Sequence, residues 1–157
     1  MNILAIDPGY EESAYVVFDG ERVQEFGIER NGYMLTIAGS TKACDKLAIE
    51  GIACYGMPVG KETFDTCVWI GRFGQVFGWG ATTLVYRKDV KMHLCGSMRA
   101  KDPMVRQALI DRFGPSREKA IGTKKQPGPL YGVSSHCWSA LAVACTYWDT
   151  HQLAATA

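Results

Sequence analysis

Asn2-Ile3-Leu4-Ala5-Ile6-Asp7-Pro8-Gly9-Tyr10 stands at the head of the sequence, and the rest of the chain is organised around it. Ile3 to Ile6 is short and wholly apolar, as in a strand buried on both faces of a covered sheet. Asp7 ends the run and Pro8-Gly9 stops it with a turn. A carboxylate therefore arrives at the end of a central strand. Burying charge there costs free energy unless a cation or hydrogen-bond donors compensate for it. Asp7 is then either a metal-binding carboxylate or an Asp that opens the turn by bonding its own backbone, and this stretch alone leaves both readings open.

Working outward, Ser13 to Phe18 and Arg22 to Ile28 are rich in strand formers, with Asp19-Gly20 between them as a hairpin signal. Three antiparallel N-terminal strands follow. Met34 to Ala43 reads as a short helix weakened by Gly39, Ser40 and Thr41. Leu47-Ala48-Ile49 is a second apolar run ending in a carboxylate, Glu50. Lys61 to about Phe77 has helical periodicity, with Phe64, Val68 and Gly71 on one side. Its glycines (71, 74, 78 and 80) either weaken its later part or mark close packing against another backbone. Thr82 to Tyr86 is a third strand of parallel type, and Asp89 to Cys95 a short basic helix. Asp102-Pro103 predicts a helix start with Asp as N-cap, and Met104, Val105, Ala108, Leu109 and Phe113 as the apolar face. Gly114-Pro115 stops it. Residues 115–133 read as a mobile basic loop. Ser134 or Ser135 then caps a last helix running to about Trp148, apolar nearly all round and so buried, with His136 in its first turn. The fold class expected is α/β: a five-stranded mixed sheet, antiparallel then parallel, flanked by helices.

The 157 residues, 47% of them hydrophobic, suit one domain spanning 1–157. No apolar run is long enough to cross a bilayer, and the N-terminus lacks the pattern of a signal peptide. A cytoplasmic protein with no membrane partner is expected. The six Cys form no Cys-x-x-Cys pair and read as small buried hydrophobes in a reducing compartment. The net charge of +1 conceals an asymmetry. Residues 1–86 carry 6 Lys/Arg against 11 Asp/Glu, whereas residues 87–125 carry 11 against 4. A basic segment beside an acidic half suits a polyanion gripped by one side of the molecule, although solvated helix faces would give the same counts.

If the first and fourth strands are neighbours, Asp7 and Glu50 project side by side where ligands bind in open α/β sheets. Like charges that close repel unless one is protonated or a cation sits between them. Oxygen ligands favour Mg²⁺ or Mn²⁺, one or two per subunit, and a metal pair suits in-line attack on a phosphodiester.

These residues carry a resemblance. Ile3-Leu4-Ala5-Ile6-Asp7-Pro8-Gly9, Leu47-Ala48-Ile49-Glu50, Gly71-Arg72-Phe73-Gly74-Gln75, Arg87-Lys88-Asp89-Val90-Lys91, Ala100-Lys101-Asp102 and His136-Cys137-Trp138-Ser139-Ala140-Leu141-Ala142-Val143-Ala144 come in the order found in RuvC-type Holliday junction resolvases. The chain resembles especially their short phage and prophage members. The resemblance implies an RNase H-like fold, a homodimer, and metal-dependent nicks in four-way or branched DNA, with no nucleotide cofactor. By position Asp7, Glu50 and His136 correspond to metal ligands, and Lys91 and Lys101 to basic residues supporting the site or the DNA phosphates. Arg87, Lys88, Arg99, Arg117, Lys119, Lys124 and Lys125 complete the expected DNA contacts.

The last helix departs from the pattern. The family usually places two Asp three residues apart, where this chain has His136 and Ser139. Imidazole still ligates and suits Mn²⁺ better than Mg²⁺. Ser139 could hold a metal-bound water but brings no charge. Asp149 cannot replace it, lying ten residues, about 15 Å, further along the helix. Glu11 and Glu12 could reach the site. Three functions are therefore expected in descending order: a nuclease using Asp7, Glu50, His136 and Ser139, a branched-DNA-binding protein with little cutting, and an actin-like nucleotide-binding domain. His136 bonded to a neighbour, Ser139 as a packing residue and Lys91 and Lys101 as solvated charges are the structural alternatives. Tyr55 could stack on a base.

Overall fold

The structure is a computed structural model that describes residues 1–40 and 44–155, with side chains through residue 151. Five strands form one sheet in the order β3-β2-β1-β4-β5. They are β1 (Ile3–Asp7), β2 (Glu12–Phe18), β3 (Val23–Arg30), β4 (Lys46–Gly51) and β5 (Thr82–Tyr86). β1 pairs antiparallel with β2 and parallel with β4, and β4 pairs parallel with β5, so the expected mixed sheet is present. The hairpin between β2 and β3 is closed by Asp19, whose carboxylate accepts from the amides of Glu21 and Arg22. Gly20 there has a φ of +101° and lies against the Trp148 ring, so a side chain meets both strain and a clash.

Alternation along each strand sorts the sheet into two faces. Leu4, Ile6, Leu47 and Ile49 face α1 (Asn31–Ser40) and α2 (Lys61–Phe77). Ile3, Ala5, Ala48 and Val85 face α3 (Arg87–Cys95), α4 (Asp102–Phe113), α5 (Arg117–Ala120) and α6 (Cys137–Ala155). Residues of α6 from Ala140 to Cys145 are fully buried against this face, as its apolar sequence requires. The same parity decides the site, because Asp7 follows Ala5 and Glu50 follows Ala48 onto the α6 face.

Several expectations need correction. The α1 helix begins at Asn31, and its expected residues 41–43 lie outside the described residues. Phe64 and Val68 of α2 are 63% and 60% exposed, whereas Thr66, Ile70, Phe73 and Gly74 are buried. Phe64, Val68 and Gly71 thus lie on the outer side of the helix, and Gly74 lets Trp79 pack closely against it. In α4, Met104 is exposed and Ile110 takes its place inside. Asp102 is the first helical residue and Lys101 the N-cap, because the Asp102 carboxylate is held by Arg87. Residues 115–133 are no structureless loop: α5, a bridge between Gly122 and Pro127, and fully buried Ala120 and Leu130 tie them to the core. His136 lies just before α6, its carbonyl accepting from the Ala140 amide, and the helix continues past Trp148 to Ala155. Cys44, Cys137 and Cys145 are buried as expected, but Cys54 and Cys67 are exposed. Among the described residues no helix is long and apolar enough to cross a membrane.

Candidate active site

The Asp7-Pro8-Gly9 turn is built by two buried residues that sequence reasoning missed. Asn31 donates to the Gly9 carbonyl (2.8 Å), and the Ser13 hydroxyl donates to Asn31 (2.6 Å) while accepting from the Gly9 amide (3.2 Å). Gly9 also packs too closely on the Glu12 carbonyl to carry a side chain. Two polar residues at inward strand and helix positions were the signal available for this lock. With the turn so held, the Asp7 carboxylate is left for the site.

Ile6 and Ile49 are partners in the parallel ladder, so Asp7 and Glu50 leave neighbouring strand ends on the same face. Both side chains are 16% exposed. Burial raises the pKa of Asp7, opposed by the charge of His136 and a hydrogen bond from it, with smaller help from Arg87 and Ser139. His136 Nδ1 lies 3.0 Å from Asp7 Oδ2. Burial, then the charge of Asp7, pushes Glu50 up to about 7, against Arg87 and Lys91. Two buried carboxylates short of positive charge are a donor set that a divalent cation fits. His136, hydrogen-bonded to Asp7, could add a nitrogen ligand, which suits Mn²⁺ better than Mg²⁺. Among the described residues no three His, Cys, Asp or Glu side chains cluster as a metal site.

His136 stands between two clefts. One, of about 420 Å³, is lined by Asp7, Tyr10, Glu11, Glu12 and His136, which puts the two glutamates beside the site. The other, of about 380 Å³, is lined by Arg87, Asp102, Arg106, His136, Trp138 and Ser139. Asp102 and Arg106 were not anticipated there. Arg106 lies 4.6 Å over the Trp138 ring, a pairing that no spacing in the sequence reveals. Ser135, beside His136, has a φ of +47°, a left-handed conformation that is costly for a residue with a side chain. Tyr55 has the same φ, is 67% exposed, and lies under Lys88 at 5.8 Å. Lys88, Arg99, Lys101, Arg117, Lys119, Lys124 and Lys125 are all exposed, whereas Lys91 and Arg87 are half-buried. Asp149 is remote from the site, bound to Arg112 (2.6 Å) and His93 (2.8 Å).

The raised pKa of Glu50 has a sign that can be worked out. Between its ordinary value of 4.5 and about 7 the folded state holds a proton that the unfolded state has lost. Metal-free stability should therefore fall as pH rises through that window, by roughly 3 kcal/mol at most. Glu50→Gln removes this slope. Denaturant melts in EDTA at pH 5 and pH 8 check it, and equal pH dependence in both proteins would contradict it.

Antiparallel strands running into parallel ones, flanked by helices, make an α/β fold of the RNase H-like type. No protein-family model matches the chain, and no curated protein matches it by sequence. Among solved structures it is similar to Thermus thermophilus RuvC, with a TM-score of 0.71 and 18% identity over 97% of this chain and 96% of that one. It is similar as well to T. thermophilus RuvC in complex with a Holliday junction substrate, with a TM-score of 0.72 and 17% identity over 98% and 96% of the two chains. The chain has a RuvC-like fold along nearly its whole length.

Proposed function

We propose that this chain is a structure-selective endonuclease making divalent-metal-dependent nicks in four-way or branched DNA. The observation that carries the reading is that Asp7 and Glu50 leave neighbouring parallel strand ends on one face, with His136 Nδ1 3.0 Å from Asp7 Oδ2. Asp7, Glu50 and His136 would hold the ion, Mg²⁺ or Mn²⁺. When bound, such an ion supplies Lewis-acid activation of water and charge neutralisation at a phosphodiester. Ser139 adds a hydroxyl beside Asp7. Lys91 places positive charge near Glu50. The Thermus structure with a Holliday junction supports a branched DNA as the partner. Arg87, Lys88, Arg99, Lys101, Arg117, Lys119, Lys124 and Lys125 would contact phosphates, giving strongly salt-dependent binding that does not read sequence.

A homodimer belongs to the same proposal. Phe64, Cys67, Val68, Gly71 and Gln75 form a stripe along the outer face of α2, and Gly71 has open space where a side chain would point. The loop before α2 adds exposed Ile52, Met57 and Val59. A second copy of α2 would bury this stripe, and two sites related by a two-fold axis suit opposed strands of a pseudo-symmetric junction. Val68→Asp should convert dimer to monomer in sedimentation equilibrium while leaving the circular dichroism spectrum unchanged. A wild-type monomer at micromolar concentration would overturn the dimer.

The second reading is a branched-DNA-binding protein with little cutting, favoured by the neutral residue at position 139. Cleavage of four-way, Y-shaped and linear DNA, first in Mg²⁺ and then in Mn²⁺, separates the two. Nicking of branched substrates in Mn²⁺ is expected. Tight binding with no product in either metal would leave the second reading.

A further inference from the structure

Arg87 is the residue that the metal-ligand reading leaves unexplained. It opens α3 directly after β5, and parity along that strand brings it to the α6 face with Val85. Its Nε lies 3.9 Å from Glu50 Oε1, and its Nη2 donates to the Asp102 carboxylate. It lines the cleft that holds His136 and Ser139, and a smaller one that holds Glu50 and Tyr55. Its third nitrogen, Nη1, is buried and has no hydrogen-bond partner. A buried donor without a partner is costly, and an anionic oxygen entering the cleft would supply that partner.

We propose that Arg87 takes the place of a second cation in this site, so that the chain holds a single divalent ion and meets the phosphodiester with a guanidinium. This rests on the nuclease reading above and refines its metal count. In the cleft that Arg87 lines, Ser139 brings no charge and the Asp102 carboxylate is already held by Arg87, so a second divalent ion would find no free carboxylate in that lining. Arg87 lies against Glu50 and also lines the Ser139 cleft. A guanidinium fork matches two phosphate oxygens. Charge that grows on phosphate oxygens during attack is then met without a second ion. The hydrolysis balances with water alone. Its oxygen bonds to phosphorus as one P–O ester bond breaks, one water proton passes to solvent base, and the leaving alkoxide takes one back. Asp102 is a positioning residue, fixing the fork from the far side. Its bond to Arg87 also explains why it does not cap α4.

The test compares wild-type protein with Arg87→Gln, Arg87→Lys and Asp102→Asn. Free Mn²⁺ read by electron paramagnetic resonance should give one bound ion per wild-type chain. Arg87→Gln should tighten that ion about tenfold, because a competing charge beside Glu50 is gone. In saturating Mn²⁺, Arg87→Gln should lower kcat for nicking a four-way junction about 10²–10³-fold while raising KM less than fivefold. Arg87→Lys should recover part of the rate, and Asp102→Asn should lower kcat with little change in KM. Two Mn²⁺ per wild-type chain, or an Mn²⁺ affinity that Arg87→Gln leaves unchanged, would overturn the proposal. One bound Mn²⁺ without nicking would sink the nuclease reading alone, since the tightening is read without cleavage. Failure of wild-type and Arg87→Gln protein to bind Mn²⁺ would overturn both.

Discussion

Asp7→Asn should abolish Mn²⁺-supported nicking, lowering kcat by about 10³-fold or more. Asn keeps the shape of Asp and can still accept a hydrogen bond from His136 Nδ1, so the change removes charge without opening a cavity. Asp7 is also the better of the two acids to test. It ends the central strand, with β2 on one side and β4 on the other, and it touches both Glu50's field and His136. Removing its charge relieves the repulsion that raises Glu50, so the metal-free variant should fold at least as stably as wild type. Junction binding, carried by Lys and Arg, should change little. Nicking rates and junction gel shifts on one preparation check both halves. A variant that cuts at the wild-type rate would remove the carboxylate pair from the chemistry.

Ser139→Asp should tighten Mn²⁺ about tenfold, because ligand charge sets affinity in oxygen-rich sites. Ser139 follows His136 by three residues, within one turn of the α6 face that approaches Asp7. Nicking should rise less than tenfold if Arg87 already supplies the second positive charge. A gain of 100-fold or more with unchanged junction affinity would mean that the native chain binds branched DNA and scarcely cuts it. Calorimetric Mn²⁺ titration and single-turnover nicking measure the two effects. Because the new carboxylate also faces Arg87, combining it with Arg87→Gln shows whether the two changes are coupled.

The two acid-tipped runs, Ile3–Asp7 and Leu47–Glu50, were legible because a strand buried on both faces has a strongly apolar signature. The β2–β3 hairpin was legible because Asp19 makes its own turn bonds. Which side of α2 packs inward was not legible in the sequence, for a physical reason. Phe64 and Val68 are as apolar as core residues, and periodicity reports that a stripe exists, not whether it faces this chain's core or solvent. Asp102 was read as a cap because the pair Asp-Pro has that local meaning. The structure assigns its carboxylate to Arg87, fifteen residues earlier, and no local rule includes that competitor. The Asn31–Ser13 lock escaped notice because single polar residues in apolar stretches look like interruptions.

The strands, their order along the chain and the burial of the last helix could be read from the residues alone, as could the placing of Asp7 and Glu50 at strand ends. These depend on local periodicity, turn chemistry and side-chain type, which neighbours in sequence carry. Only the tertiary structure decided that β4 lies beside β1, and that Asp7 and Glu50 share the α6 face. It alone placed Arg87 and Asp102 at the same cleft as His136. Those facts depend on strand pairing and on the packing of α3, α4 and α6 over one sheet face. Such packing joins residues more than a hundred positions apart, where no spacing along the chain records it.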